Sequence, residues 1–183
     1  MNTALKVLYA SNGLFVFAGS MLVPLYALFE ESVGASIFIV STLAATQLAS
    51  KLVTTIFLRF VGDGIKEKEY LLIIGFILRA FGWVGLIFSP SLAGLFIVQI
   101  ILGVGDGMGS PAFRAMFATH LDVGHEVKRY SDWELILGFA GATGALLGGY
   151  IVTMFGFLTL FALMSILAII SAVIVLVQPR KLL

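Results

Sequence analysis

The chain has 183 residues, of which 60% are hydrophobic and 11% are charged, and its mean hydropathy is +1.10. A soluble domain of this length cannot expose so apolar a composition to water, so the composition excludes a soluble protein and indicates an integral membrane protein. The absence of cysteine excludes disulfides, zinc–thiolate sites and thiol nucleophiles, and the net charge of +1 gives no indication of nucleic-acid binding.

Six apolar runs follow one another along the chain. Each approaches or exceeds the roughly 20 residues that cross about 30 Å of hydrocarbon. The runs cover residues 7–29, 37–60, 70–88, 92–121, 135–155 and 158–177. We therefore predict an all-α membrane protein with a single six-helix transmembrane domain over residues 1–183. The first run is too long for a secretory signal and lacks a small-residue cleavage site, so we interpret it as a retained helix.

The distribution of lysine and arginine predicts the orientation of these spans. Seven of the eleven basic residues lie in the N-terminus, the second and fourth loops and the C-terminus, whereas loops 30–36, 89–91 and 156–157 contain none. Because cytoplasmic loops carry the excess of basic residues, we expect both termini to be cytoplasmic, in the prokaryotic cytoplasmic membrane. The seven residues are Lys6, Lys66, Lys68, Lys128, Arg129, Arg180 and Lys181.

Two of the other basic residues lie deep within predicted spans. Lys51 and Arg79 are each roughly 15 Å from the inner end of their helix. Lys51 shares a helical stripe with Gln47, which indicates a polar face, while Gly75 and Gly82 flank Arg79 and suggest a packing notch. We assign Lys51 and Gln47, together with Asn12 of the first span, to a substrate or ion pathway.

The fourth span, QIILGVGDGMGSPAFRAMFATHLD from residue 99 to 122, places an acid inside an apolar segment. Gln99, Gly103, Asp106 and Ser110 are spaced i, i+4, i+7 and i+11, so they share one stripe of a helix. Asp106 falls near the bilayer centre, where a charge costs at least about 2.5 kcal/mol and usually faces a partner or a wet cavity. The stripe predicts a polar pathway, and an ion pair of Asp106 with Lys51 or Arg79 that merely fixes packing is the alternative.

Glycines surround this acid. Each glycine in a helix costs about 1 kcal/mol against alanine, so Gly103 and Gly107 indicate that a neighbouring backbone approaches closely. Pro111 cannot donate a hydrogen bond to the carbonyl of Gly107, so we expect a kink within one turn of Asp106.

The fifth span is a candidate packing surface. Its glycines form overlapping small-x-x-x-small patterns that let helices approach, and they include Gly141, Gly144, Gly148 and Gly149. Asp132 and Glu134 begin this span, where acids are favoured by the helix dipole. We predict structural ion pairs for them, for Arg79 and for Arg114. His120 and His125 have no third ligand nearby, so no metal site is predicted.

The whole layout resembles the N-terminal half of a major facilitator superfamily transporter. The charged loop RFVGDGIKEKEYLL matches that family's loop between helices two and three at Asp63 and Lys68, and departs from it at Arg59. Gln99 stands where the family has an arginine, and the GALLGG segment at 144–149 lacks the proline of the antiporter pattern. The resemblance implies one 3+3 inverted repeat, alternating access, and a gating role for Asp63, Lys68 and Arg59 at the cytoplasmic face.

Length adds a further expectation, because members of the family resemble two such halves in one chain. The two halves are related by an axis along the membrane normal, so two copies of one half can pair in their natural orientation. We expect a homodimer, or a pairing with a distinct six-helix half, that transports a small molecule within the lipid bilayer, with possible proton coupling and no cofactor.

Two alternatives remain open at the level of sequence. A non-transporting or heteromeric membrane subunit would have the same composition and spans. The segment Gly103 to Asp106 also spells G-x-G-D, a pattern of intramembrane aspartyl proteases. That chemistry needs two carboxylates that share a proton, and no second aspartate lies at a matching depth. We therefore predict that the chain is not an enzyme.

Overall fold

The computed structural model describes residues 3–88 and 91–179, without the side chain of Asp63. Within this part of the chain the structure is helical and contains no strand, as predicted. The helices are α1 (Thr3–Ser20), α2 (Tyr26–Ser32), α3 (Ile37–Val61), α4 (Lys68–Phe88), α5 (Leu92–Thr119) and α6 (Glu126–Leu176). The expectations for loop residues 89–90 and for the C-terminal Arg180 and Lys181 lie outside the described residues.

The first predicted span is interrupted at Pro24. Helix α1 ends at Ser20, a 3-10 turn covers Val23–Leu25, and α2 follows directly. Proline has no N–H, and its ring clashes with the carbonyl four residues earlier, so it kinks or breaks a helix, and at Pro24 the helix breaks. The end of the predicted span was also wrong, because Glu30 lies inside α2 and is buried, not in an outer loop.

Helix α6 is a helical hairpin. At 51 residues it would extend about 77 Å if straight, more than twice the hydrocarbon thickness. Gly156, which lies between the two predicted spans 135–155 and 158–177, has φ 81° and ψ 172°, so the helical path breaks there. Trp133 and Val175, near opposite ends of α6, belong to one core cluster, so the arms 126–155 and 157–176 run antiparallel.

Within the described residues, five helical stretches are long and apolar enough to cross a membrane, with α6 counted once. The other four are Thr3–Ser32, Ile37–Val61, Lys68–Phe88 and Leu92–Thr119. This supports a multi-pass integral membrane protein.

The core has two centres, one at each end of the bundle. The first core cluster includes Leu5, Leu72, Phe117, Trp133 and Val175. The second core cluster includes Met21, Trp83, Leu95, Leu160 and Phe161. Because Leu5 and Val175 share the first core cluster, both ends of the described chain lie at the same end of the bundle.

Helix α5 packs between α3 and α4, and its glycines make this possible. A Cβ added at Gly103 would lie 2.3 Å from the carbonyl oxygen of Gln47 on α3. On the other side, a Cβ added at Gly75 of α4 would lie 2.7 Å from the Cα of Gly109. Alternate glycines of α5 therefore serve two neighbours, and both contacts are backbone against backbone.

Candidate functional site

Arg79 and Asp106 form a salt bridge between α4 and α5. The side chains are 18% and 19% exposed, so the pair is largely buried but still reached by solvent. A Cβ added at Gly105 would lie 3.0 Å from Cγ of Arg79, so the absence of a side chain there leaves space for the arginine. Of the two partners considered for Asp106 from the sequence, the structure pairs it with Arg79 and not with Lys51.

Two aromatic rings hold the guanidinium of Arg79. Its Cζ lies 4.9 Å from the ring centroid of Phe15 and 5.2 Å from that of Trp83. A cation over an aromatic face is attracted by the ring quadrupole, and desolvation strengthens that attraction. The buried Nε of Arg79 has no hydrogen-bond partner among the described residues, so the arginine retains an unused donor.

The pair lines a cavity of about 440 Å³ between α1, α4, α5 and α6. Its polar and charged lining consists of Asn12, Arg79, Asp106, Ser110, Arg114, Tyr130 and Glu134. Its other aromatic lining consists of Phe15, Phe76, Phe113, Phe117 and Trp133. The cavity therefore joins three of the residues predicted for the pathway, Asn12, Asp106 and Ser110, to Arg79, which was assigned to packing.

The predicted stripe on α3 does not join this cavity. Gln47 and Lys51 are partly exposed and are absent from the cavity lining. Their backbones face the glycines of α5, since a Cβ at Gly107 would lie 2.9 Å from the carbonyl oxygen of Lys51. The two polar stripes inferred from the sequence thus meet different surroundings within this chain.

Gln99 lies on the predicted stripe but does not line the cavity. Its Nε2 donates hydrogen bonds to the hydroxyl of Tyr26 at 2.8 Å and to Oε1 of Glu30 at 2.9 Å. Tyr26 and Glu30 are four residues apart on α2, so they share one face and bracket the amide. Gln99 is 0% exposed and Glu30 is 2% exposed, so these three residues form a buried polar cluster, termed the α2–α5 cluster.

The sequence interpretation missed Glu30, because this acid ends the first apolar run and was assigned to a loop. The i, i+4 spacing of Tyr26 and Glu30 was the available signal. It indicates a polar face only if α2 is known to be helical.

The loop residues predicted to act in gating lie around the N-terminal end of α4. Arg59, Lys68 and Pro111 line a groove of about 380 Å³ between α3, α4 and α5. Asp63 lies in the 3-10 turn Gly62–Gly64, and its side chain lies outside the described part of the structure. Helix α5 continues through Pro111 as far as Thr119.

Ion pairs at the start of α6 join it to the preceding loop. Arg129 contacts Asp122 at 2.6 Å and Asp132 at 3.3 Å. The hydrogen bond from Arg129 holds the pKa of the Asp122 carboxyl below its usual value. Among the described residues, no salt bridge includes Arg114 or Glu134, the other two predicted for such pairs.

The glycines of α6 fall into two groups. A Cβ added at Gly144 would lie 2.8 Å from the carbonyl oxygen of Phe17, and one at Gly148 would lie 2.0 Å from that of Met21. These two glycines therefore pack against α1 and the break that follows it. Gly141 and Gly149 have no atom within 4 Å of an added Cβ among the described residues, so their surfaces are open in the single chain.

Comparison with known proteins gives one family and one architecture. The family model described as Major Facilitator Superfamily matches residues 8–182. Among solved structures, the chain is similar to the POT family transporter PepTSo, in its in meso crystal structure, with a TM-score of 0.80 and 13% identity. The match covers 100% of this chain and 38% of that transporter, so the chain spans well under half of the transporter's length. No curated protein matches.

Proposed function

The chain belongs to the major facilitator superfamily, as its sequence indicated, and from this membership we propose that it forms part of a membrane transporter for small molecules. The proposed mechanism is alternating access in the prokaryotic cytoplasmic membrane, with six crossings and both termini cytoplasmic. The observation that carries the proposal is the Arg79–Asp106 pair, which lines a cavity of about 440 Å³ between helices that cross the membrane.

The chemistry of the cavity favours a substrate with an aromatic or apolar body and a charged or dipolar group. Its aromatic side chains provide apolar contact area, while Arg79 and Asp106 offer one charge of each sign. A substrate cation would compete with Arg79 for Asp106, and a substrate anion would compete with Asp106 for Arg79. In either case substrate binding breaks the Arg79–Asp106 salt bridge. Because this bridge joins α4 to α5, substrate binding would then change how these two helices are held together.

A second six-helix unit would complete the path. Helix α3 and the first arm of α6 expose large apolar side chains, among them Ile37, Phe38, Leu52, Phe57, Leu135, Phe139 and Leu146. We assign part of this surface to lipid and part to a partner unit, together with the open glycines Gly141 and Gly149. In a homodimer with two-fold symmetry, Lys51 and Gln47 of α3 would approach the path from its edge.

The structure weighs against protease chemistry. Aspartyl proteases need two carboxylates that share a proton. Here Asp106 is paired with a guanidinium, and Glu134 is the other acid among the described residues that line the cavity. Glu134 is exposed on α6 and also lines a surface groove.

Transport by purified protein in vesicles tests the proposal. A panel of cations, anions and amphiphiles is first screened for thermal stabilisation of the wild type, and a stabilising compound is then used in uptake assays. We expect Asp106→Asn to abolish uptake while the protein stays folded, and the exposed control Glu31→Gln to retain it. Full uptake by Asp106→Asn would refute a role for the pair in transport and leave it a packing contact.

The partner is tested separately by native mass spectrometry in mild detergent and in lipid nanodiscs. A dimer supports self-association through the exposed faces. A strictly monomeric species under both conditions, with uptake still present, would refute the homodimer. Recovery of uptake on adding a second six-helix protein would identify a heteromeric partner.

A further inference from the structure

The carboxyl group of Glu30 is buried at the contact between α2 and α5. The residue is 2% exposed, and the hydrogen bond recorded for its side chain comes from Nε2 of Gln99 at 2.9 Å. The same Nε2 donates to Tyr26. A carboxylate has four lone-pair positions for hydrogen bonds, so a single amide donor leaves it poorly satisfied.

No salt bridge among the described residues involves Glu30. An ionised carboxylate in an apolar environment needs a cation or several donors, and without them the group takes up a proton instead. This contrasts with Asp106 on α5, whose side chain is 19% exposed and has Arg79 as its partner. The charge of Asp106 is therefore offset by a cation, whereas that of Glu30 is not.

The amide of Gln99 provides a second, independent observation. Its Oε1 accepts no hydrogen bond among the described residues. Because Gln99 is 0% exposed, solvent does not supply one either. The oxygen and nitrogen of an amide can exchange places by rotation of the side chain. A protonated Glu30 has an O–H that can donate to this oxygen once it is turned toward α2, and the Tyr26 hydroxyl can donate to it as well. A protonated Glu30 therefore has a buried acceptor available on the facing side chain.

Among the described residues, no charged side chain forms an ion pair or a hydrogen bond with Glu30. Helix α2 itself offers Tyr26, and α5 offers the neutral Gln99. The second core cluster, which includes Phe29 beside Glu30, contains Leu43 of α3 and Phe161 of α6. From α4 this cluster contains Trp83, whose ring lies against Arg79, and that guanidinium is engaged by Asp106.

We propose that Glu30 is a proton-binding site of this chain, in which Gln99 and Tyr26 enclose the protonated carboxyl. Uptake adds one proton to a carboxylate oxygen of Glu30 and neutralises the residue. Movement of α2 away from α5 admits water, and the proton leaves to that water. The site is separate from Asp106, and its link to transport rests on the proposed function.

Infrared spectroscopy of the full chain in lipid tests the site directly. The carbonyl stretch of a protonated carboxylic acid is separate from that of a carboxylate, so a pH titration counts buried protonated acids. We expect Glu30→Gln to remove one protonated-acid band at neutral pH and the exposed neighbour Glu31→Gln to retain it. Tyr26→Phe keeps the ring but loses the hydroxyl, so it should shift the frequency of the same band.

Thermal unfolding gives a second readout. If folded Glu30 keeps its proton at a pH where the unfolded chain has lost it, raising the pH destabilises the folded state. Glu30→Gln, which mimics the protonated acid, should reduce the fall in melting temperature that begins as the pH rises above about 4, where the unfolded glutamate loses its proton, and Glu31→Gln should leave that fall unchanged.

Two results would overturn the proposal. One is that the infrared spectra of the wild type and of Glu30→Gln contain the same protonated-acid bands. The other is stabilisation of the wild type by sodium ions that Glu30→Gln abolishes, which would show a bound metal cation instead. Both measurements need no transport, so a failed uptake assay leaves this result intact, and a negative spectrum leaves the transport proposal intact.

Discussion

Arg79 and Asp106 form their salt bridge one helical turn away from the close contact between Gly75 of α4 and Gly109 of α5. The glycine contact brings two backbones together, and the bridge joins the charged side chains beside it. A substitution that disturbs the glycine contact should therefore also disturb the pair.

A double-mutant cycle on Arg79 and Asp106 measures the coupling between these two side chains. Removing one partner of a buried ion pair leaves an uncompensated charge, which costs about 3 kcal/mol in comparable sites. We expect Arg79→Gln and Asp106→Asn each to lower the free energy of unfolding by roughly that amount. The double variant should lose much less than the sum, because it leaves neither charge unpaired. Unfolding in detergent or by steric trapping gives the values, and strictly additive losses would contradict the coupling.

Gly75 should tolerate no side chain. A Cβ there would lie 2.7 Å from the Cα of Gly109 and 2.9 Å from the carbonyl oxygen of Gly105, so the clash is with backbone that cannot move aside. We expect Gly75→Ala to separate α4 from α5, to lower the melting temperature strongly and to weaken the Arg79–Asp106 pair.

Gly149→Ala is the matched control for that substitution. An added Cβ at Gly149 has no neighbour within 4 Å among the described residues, and alanine favours a helix by about 1 kcal/mol over glycine. The isolated chain should be unchanged or slightly stabilised. A loss of dimer in this variant, with the monomer fold intact, would place Gly149 at the proposed partner surface. Equal damage from both substitutions would contradict the packing argument.

Hydropathy predicted the helical membrane fold, because a membrane restricts a spanning chain to few structures. The helix layout, the charged second loop and the glycine patterns indicated the family. Spacing along one helix identified Asp106 and its cavity neighbour Ser110. It could not show which helix a given face meets. Arg79 and Lys51 lie at similar depth, and three-dimensional packing alone decides between them as the partner of Asp106.

Depth explains why Gln99 and Asp106 have different neighbours. The two residues share an angular position on α5, but seven residues separate them by about 10 Å along the axis. At that height α5 meets α2, whose existence depends on the break at Pro24. The apolar run continues across this break, so hydropathy alone does not predict α2 or the α2–α5 cluster.

Lowering the pH should weaken the contact between Asp122, in the loop after α5, and Arg129 of α6. The hydrogen bond from Arg129 lowers the pKa of Asp122 in the folded state, so its contribution to stability is present above the unfolded pKa, near 4. That contribution is lost as the pH falls through the lower, folded value. Asp122→Asn should remove this part of the acid-side fall in melting temperature, while Glu31→Gln should not. Because the Asp122 side chain is 38% exposed, high salt should reduce the difference. An identical acid profile for Asp122→Asn would refute the assignment.

The last prediction concerns Gly156 at the turn of the α6 hairpin. Its φ of 81° and ψ of 172° lie in a region that side-chain-bearing residues avoid, at a cost of about 1–3 kcal/mol. In the part of the chain that the structure describes, an added Cβ meets no atom within 4 Å, so we expect any effect of Gly156→Ala to come from the backbone and not from a clash. We expect the melting temperature to fall in line with that cost. Gly138→Ala, at a helical position of the same hairpin with equally open surroundings, should leave it unchanged or slightly raised. Wild-type stability of Gly156→Ala would mean that the chain reverses between the two arms without this backbone conformation.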